Sequence, residues 1–394
     1  MSPFAWYVTA AGSWFLAFGL QGVIVSTLVA MHLHGGSAAM SATMMAQQLP
    51  GFGLILVGGA VADRVDKRAL LIALYALGSG LAVALALGVE AGWLSLGLVV
   101  AYVLSLGTVS AFVMPSRDAL LSDVGGGNLM RAVTMLTMTQ WGMQALGSAI
   151  GIVGGRVGML PLIGLQAAVL LAGVPALRQL PRPAPALEGT RRALRLGELA
   201  DGVREVVRSP VLGPVALLSM ALGTLFIGPF QVVFPLLVRD YYKGGPAEIA
   251  MLYTAFPIGT ISGSGLILLR GGIRRKGAAQ LFALGGGALC IGAIGLGLPF
   301  WGALLAVTLF GFGGAFFVNA GRTLFQEHAT SASRGRVLSV YALTIMGATG
   351  VVGAPFAGWL NARLGPLGAC GVCAALMLTV VSVIATTTNV RRLV

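Results

Sequence analysis

The sequence predicts an all-α integral membrane protein in which twelve transmembrane helices form two pseudo-symmetric six-helix bundles. Three observations support this fold: the composition is apolar, uncharged stretches recur at the length of a membrane span, and the two halves of the chain repeat. Hydrophobic residues make up 57% of the 394 residues and charged residues only 9%. A soluble domain carries about 25% charged residues, so the composition excludes a water-soluble enzyme.

Stretches without Lys, Arg, Asp or Glu define the helices in order, because a spanning helix needs about 20 mainly apolar residues. The first bundle is expected within residues 1–180, in the stretches 1–62 (divided by a turn at 32–37), 69–89, 91–116, 132–155 and 157–177. The second bundle is expected within residues 209–394, in the stretches 209–238, 249–269, 277–321 (divided near 297–299), 337–362 and 364–390. Each bundle therefore receives six helices.

Residues 181–208 separate the two bundles as a polar cytoplasmic linker. After a proline-rich start, Leu196, Leu199, Val203 and Val206 recur every three or four residues. This spacing predicts an amphipathic helix that lies on the inner membrane surface and tethers the two bundles.

The distribution of basic residues predicts the side of the membrane on which each loop lies. With both termini in the cytoplasm, 21 of the 25 Lys and Arg residues fall in inner loops, as the positive-inside rule requires. We therefore expect a monomeric, multi-pass protein of the cell (inner) membrane whose partners are the lipid bilayer and a small-molecule substrate. The same asymmetry accounts for the net charge of +13, so no nucleic-acid partner is expected.

The two halves of the chain align at an offset of about 206 residues, which is the signature of an internal repeat. Matched pairs include Gly22 with Gly228, Lys67 with Arg274, Arg117 with Arg322, and Arg131 with Arg336. Six helices per half make the halves parallel copies related by an axis along the membrane normal. Transporters use such symmetry to place one site between two halves that rock against each other.

The segment Gly58-Gly59-Ala-Val-Ala-Asp63-Arg64-Val-Asp66-Lys67-Arg68 resembles the hallmark loop of the major facilitator superfamily, with Asp66 where that loop usually has glycine. Residues 115–123, 197–210, 334–337 and 353–358 resemble the branch of that superfamily that contains siderophore exporters of the enterobactin type and macrolide-efflux proteins. The resemblance covers essentially the whole chain. It implies the major facilitator fold and transport by alternating access.

The resemblance also implies a gate at the inner ends of the helices. Asp63 is expected to dock against the start of helix 11, near residues 334–336, because a carboxylate at a helix end needs a partner or an exposed helix N-terminus. The basic residues of the loop would hold it at the lipid headgroups or pair with acidic neighbours. The residues assigned to the hallmark loop and gate are Gly59, Asp63, Arg64, Lys67, Arg68, Arg117, Asp123, Arg131, Arg322, Glu327 and Arg336.

A second set of polar residues predicts a neutral, amphipathic substrate cavity. By resemblance, helices 1, 4, 7 and 10 line the cavity, whereas helices 3, 6, 9 and 12 face lipid and carry few polar side chains, with Gln166 as the main exception. An unpaired polar group in hydrocarbon is costly, so the other polar groups should face water or one another. The residues assigned to the cavity are Gln21, Gln47, Gln140, Trp141, Gln144, Gln231, Tyr253 and Asn319.

No charged residue lies near the middle of a predicted helix, although proton-coupled transporters usually keep a buried carboxylate there. The antiporter signature of helix 5 also has Ile152 in place of its proline. We therefore expect weak or absent coupling to a pH gradient. His32-x-His34 is interpreted as a solvated turn and Cys370-x-x-Cys373 as apolar filler, so neither a metal nor a cofactor is expected.

These observations predict a secondary transporter that moves an amphipathic small molecule across the inner membrane, in the direction of export. Export rests on the branch resemblance alone. Two alternatives remain open: a lysophospholipid-type lipid flippase, which would suit a charge-poor cavity, and a facilitator driven by the substrate gradient. The predicted helices contain no Ser/His/Asp, HExxH or paired-carboxylate arrangement, so an enzyme is not expected.

Overall fold

The computed structural model describes residues 2–124, 129–181, 196–329 and 334–393, with the side chains of 55–60, 62–64, 122–123, 129–131, 196–200, 334–336 and 339 outside that description. Within these ranges every regular element is a helix and no strand occurs. Nine helical stretches in this part of the chain are long and apolar enough to cross a membrane. The prediction of an all-α membrane protein is therefore confirmed.

The described part of the first half forms six long helices, as predicted, with a short helical turn at Gly154–Val157 between the last two. The first begins where the Ser2 hydroxyl accepts a hydrogen bond from the Ala5 amide at 3.2 Å, which caps its N-terminus. The helices are α1 (Pro3–Thr27, extended by a π-helical turn at Leu28–His32), α2 (Ser37–Arg64), α3 (Lys67–Glu90), α4 (Leu96–Val124), α5 (Leu129–Ile150) and α6 (Met159–Arg178).

The second half begins with the connecting helix (Leu196–Arg208) and continues with six more helices. These are α7 (Leu212–Leu222, a π-helical turn at Gly223–Ile227, and Gly228–Asp240), α8 (Pro246–Leu269), α9 (Lys276–Gly295), α10 (Phe300–His328), α11 (Arg334–Gly347, a π-helical turn at Ala348–Gly353, and its continuation to 364) and α12 (366–387). Gly365 separates the last two because its φ of +70° lies in a region that favours glycine.

Backbone contacts divide the chain into two compact units. Unit 1 comprises the described parts of Met1–Gly35, Ala46–Ala193 and Gly244–Thr254. Unit 2 comprises those of Gly36–Met45, Leu194–Lys243 and Ala255–Val394. Each unit thus includes one short segment from the other half of the sequence, at the start of α8 and of α2 respectively. The predicted division into bundles at 181–208 stays a prediction.

In unit 1, α1 packs against α5 at positions where glycines remove side-chain bulk. A methyl group on Gly147 would overlap the carbonyl oxygen of Leu16, and one on Gly19 would overlap the carbonyl oxygen of Gln144. Small residues at such contacts let membrane helices approach closely. This close contact holds Gln144, one of the residues assigned to the cavity, beside α1.

In unit 2, α7 meets α11 through the two π-helical turns. The Thr224 hydroxyl donates to the carbonyl oxygen of Ala348 at 3.4 Å. A Cβ atom on Gly353 would lie 2.8 Å from the carbonyl oxygen of Gly223, so this contact also requires a glycine. Gly353 follows Gly147 by 206 residues, and the two glycines therefore close equivalent helix pairs in the two halves of the repeat.

Candidate functional site

A buried arginine, one of the residues assigned to the gate, lies toward the C-terminal end of α4. Arg117 is only 5% exposed, and its guanidinium carbon lies 4.7 Å from the centroid of the Phe15 ring on α1. The helix continues past Arg117 to Val124, whereas the uncharged window ended at residue 116. The predicted end of this helix was wrong because the ring and the neighbouring Asp118 compensate the charge inside the helix.

Hydrogen bonds and one ion pair fix this arginine. Its Nη2 and Nε atoms donate to Oδ1 of Asp118 at 3.1 and 3.3 Å, and the Asp118 side chain is 64% exposed. The Tyr7 hydroxyl donates to the backbone carbonyl of Arg117 at 3.0 Å. Nη1 has no hydrogen-bond partner among the described residues. Removing Asp118 would therefore leave a buried charge supported mainly by an aromatic face.

The hallmark loop is organised by Asp66, the residue that departs from the family pattern. Asp66 caps α3, and its Oδ1 accepts hydrogen bonds from the amides of Arg68 and Ala69 at 2.9 and 3.3 Å. The Arg68 guanidinium donates to the carbonyl oxygen of Arg178 at the end of α6, where a cation complements the helix dipole. Aspartate thus replaces a flexible glycine with a helix cap.

The other residues assigned to the gate are only partly described. Gly59, Asp63 and Arg64 lie in the last turns of α2, and Lys67, half-buried, begins α3. The side chains of Asp63, Arg64, Asp123, Arg131 and Arg336 lie outside the described residues, so the docking of Asp63 stays a prediction. Arg322 is exposed on α10. Both carboxylate oxygens of Glu327 accept hydrogen bonds from the Lys276 ammonium at 2.9 Å.

Two glutamines line one recess of unit 1. The recess is lined by Trp14, Ala17, Phe18, Gln21, Leu106, Gln166 and Leu170. Gln166, the polar exception on α6, is fully buried, and its Oε1 accepts a hydrogen bond from the Tyr102 hydroxyl at 3.0 Å. Its Nε2 has no partner among the described residues. The Gln166 amide can therefore donate a further hydrogen bond in a recess that the rings of Trp14 and Phe18 also line.

The remaining residues assigned to the cavity lie on several elements. Gln47, Gln140, Trp141, Gln144 and Gln231 are half-buried. Asn319 is exposed, and its Nδ2 donates to the carbonyl oxygen of Ala315 on its own helix at 2.8 Å. Tyr253, at the start of α8, shares a hydrogen bond of 2.8 Å with the Ser26 hydroxyl on α1. Their common role in one cavity stays a prediction.

Unit 2 contains a contact between α2 and α11 that was not predicted from the sequence. The Ser41 hydroxyl donates to the carbonyl oxygen of Ala354 at 2.8 Å, and Asn361 Nδ2 donates to the Ser37 hydroxyl oxygen at 2.7 Å. A methyl group on Gly358 would overlap Ser41 Oγ. The spacing of the two serines by one helical turn, together with the Gly353–Gly358 motif, is the signal in the sequence.

Comparison with known proteins gives consistent matches along most of the chain. The profile of the Major Facilitator Superfamily matches residues 7–351. The chain is 30% identical over 383 residues to the enterobactin exporter EntS of Citrobacter koseri, covering 91% of this chain and 85% of that protein. It is 31% identical over 375 residues to EntS of Shigella flexneri, covering 89% and 83%.

Solved transporter structures share the fold at low sequence identity. The crystal structure of the nucleoside transporter NupG gives a TM-score of 0.77 at 13% identity and covers 98% of both chains. That of a D-xylose–proton symporter gives a TM-score of 0.72 at 14% identity and covers 99% of this chain and 98% of the other. These likenesses concern the fold alone.

Proposed function

The chain belongs to the major facilitator superfamily, a family of transporters, and from that premise we propose that it exports an amphipathic small molecule across the inner membrane by alternating access. The observation that carries the direction is the identity of 30–31% to enterobactin exporters along about nine-tenths of the chain. The proposal names a class of substrate, an amphipathic small molecule. It does not transfer the particular substrate of those exporters to this chain.

The recess of unit 1 supports an amphipathic substrate. Trp14 and Phe18 provide aromatic surface, and Gln21 with Gln166 provides neutral hydrogen-bonding groups on the same wall. Binding sites for small molecules combine mostly apolar walls with a few placed polar groups. None of the seven residues that line the recess is charged. This composition favours a neutral part of the substrate over a phosphate, and hence an exported metabolite over a lysophospholipid.

Alternating access requires contacts that form in one state and break in the other. The start of α2 is held on α11 by the hydrogen bonds of Ser41 and Asn361, and the start of α8 is held on α1 by the Tyr253–Ser26 pair. A net contribution of about 0.5–1.5 kcal/mol for each bond is small enough to be exchanged during a transport cycle. We infer that these contacts part when the protein changes conformation.

Transport in inverted membrane vesicles tests the proposal. Inverted vesicles that contain this protein in their membrane would be incubated with a labelled catecholate siderophore, a labelled macrolide or a labelled lysophospholipid. Accumulation of one of the first two compounds, reduced by Gln21→Leu and unchanged by Gln326→Leu on the exposed side of α10, is expected. Selective movement of the lysophospholipid would favour a flippase. Equilibration without accumulation under every imposed gradient would favour a facilitator.

A further inference from the structure

The connecting helix docks on unit 2 by one face and leaves a flank of valines beside it. Val206 is 1% exposed and packs into a hydrophobic cluster with residues of α7, α10 and α11, among them Leu212, Leu324 and Val337. Val203 and Val207, one turn apart, are 45% and 72% exposed. The helix therefore presents apolar side chains next to, but not within, its docking contact.

Going around the axis of this helix, the charged residues come after the valines in a regular order. With about 100° per residue, the valine pair lies about 80° around the helix from Val206. The exposed pair Arg204 and Arg208 lies about 180° from Val206, and the acidic residues Asp201 and Glu205 lie beyond it. Valines, arginines and acids thus occupy successive sectors, as in helices that lie in a membrane interface.

The C-terminal turn of the chain adds two more arginines to the same side of unit 2. Leu393 packs against the cluster that holds Val206, and its carbonyl oxygen accepts a hydrogen bond from the Gly277 amide at 3.3 Å. Val390, in the same turn, is 1% exposed, whereas Arg391 and Arg392 are exposed. One hydrophobic cluster therefore anchors both the connecting helix and a pair of basic residues.

We propose that Val203, Val207, Arg204, Arg208, Arg391 and Arg392 form a docking surface for anionic phospholipid of the inner leaflet. The valines enter the boundary of the acyl chains, and the arginines extend their charged heads to the lipid phosphates. Charge complementarity selects the occupant, since the four basic residues match a surface that carries negative lipids. Two valines are also too little apolar surface for a stable protein interface, which needs about 1,000 Å² or more.

Through this docking surface, the lipid composition of the membrane would change the stability of the folded unit 2. The cluster under it includes Leu212 and Val215 at the start of α7, and Val337 and Val340 at the start of α11. A lipid that binds the folded unit raises its apparent stability by mass action. This role goes beyond the proposed function, because it concerns the stability of the fold and not the identity of the solute.

Fluorescence quenching in nanodiscs tests the contact directly. Cysteine would be introduced as Val203→Cys or Val207→Cys, labelled with an environment-sensitive probe, and exposed to spin-labelled lipid. We expect quenching at both positions and weaker quenching at Asp201→Cys. The native cysteines are buried or half-buried and are replaced by alanine in all variants. Equal quenching at the three positions, or none at either valine, would overturn the proposal.

Thermal unfolding tests the role of charge. In nanodiscs of phosphatidylglycerol, the wild-type protein is expected to melt at a higher temperature than in phosphatidylcholine, and Arg204→Gln with Arg208→Gln should reduce that difference by at least half. The matched control carries Arg156→Gln and Arg363→Gln, two exposed arginines on other elements. If the control variant reduced the difference in melting temperature equally, the effect would come from charge in general. That result would contradict the proposed docking surface. The melting experiment needs no substrate, so it still tests this proposal if the transport experiment identifies none.

Discussion

The guanidinium carbon of Arg117 lies 4.7 Å from the centroid of the Phe15 ring, so that α4 presents its buried charge to the aromatic face of α1. A planar guanidinium can stack on a ring and pair with a carboxylate at the same time, whereas an ammonium is a compact point charge. This difference makes the position sensitive to a change that preserves the charge.

Arg117→Lys is expected to destabilise the protein by about 1–3 kcal/mol, because the shorter ammonium loses the stacking on the Phe15 ring and the paired hydrogen bonds to Asp118. The control is Arg322→Lys, since Arg322 is the repeat counterpart of Arg117 and is exposed. Thermal unfolding of both variants in the same detergent measures the difference. Equal midpoints for the two variants would contradict the structural role given to Arg117.

Gly147→Ala is expected to lower stability by about 1–3 kcal/mol, the usual cost of forcing extra bulk into a packed contact. The new methyl group would overlap the Leu16 carbonyl oxygen, whereas one on Gly142 would meet nothing within 4 Å. Gly142→Ala on the same helix is therefore the control and should be neutral or slightly stabilising. The unfolding midpoint of Gly147→Ala should lie clearly below that of Gly142→Ala. Equal midpoints would show that α1 and α5 can move apart to accommodate the methyl group at little cost.

Gly358→Ala should loosen the start of α2 from α11, because its methyl group would displace Ser41. In a background without the native cysteines, we expect Met40→Cys, a position that is buried beside Ser41, to react with a maleimide about fivefold faster when Gly358→Ala is added, the equivalent of one net hydrogen bond. Gly371→Ala serves as the control, as a methyl group there would meet nothing within 4 Å. An unchanged rate would show that the contact does not depend on the glycine.

The contribution of Tyr242 to stability should be constant near neutral pH and decline in strong alkali. Burial raises the pKa of Tyr242 to about 12, and its hydroxyl donates to the Leu298 carbonyl oxygen at 2.8 Å. Since the folded pKa lies above the ordinary value of about 10, the contribution is fully present below pH 10 and is lost as the pH rises through 12. The difference in unfolding midpoint between wild type and Tyr242→Phe, followed from pH 7 to 12, measures it. A change in that difference between pH 7 and 9 would be inconsistent with this pKa.

Transport is expected to depend weakly or not at all on a pH gradient. Among the described acidic side chains, Asp118 lies farthest along the chain from the end of its helix, and it remains 64% exposed. Proton-coupled transporters usually carry the proton on a buried carboxylate, and a carboxylate this exposed does not provide such a site. Uphill accumulation driven by an imposed pH gradient in vesicles, and abolished by Asp118→Asn, would overturn this expectation and identify the coupling residue.

Much of the fold could be predicted because lipid imposes strict rules on a chain. Each span must satisfy its own backbone hydrogen bonds and remain apolar for about 20 residues, so uncharged windows located the twelve helices. The repeat and the hallmark segment around Asp66 then identified the family. Arg117 shows the limit of this reasoning, since a window that ends at the first charge cannot recognise a charge that the neighbouring helix accommodates.

The candidate site depended on contacts that no local pattern contains. Gln166 lies on α6, a helix expected to face lipid, yet the Tyr102 hydroxyl of α4 donates a hydrogen bond to it. Gly358 likewise has a role because Ser41 of α2 packs against it. The sequence by itself determined which segments are helical and membrane-spanning, because hydrophobicity and backbone hydrogen bonding act within each segment. Only the tertiary structure decided which polar groups meet, because the rotation and approach of each helix depend on the side chains of its neighbours.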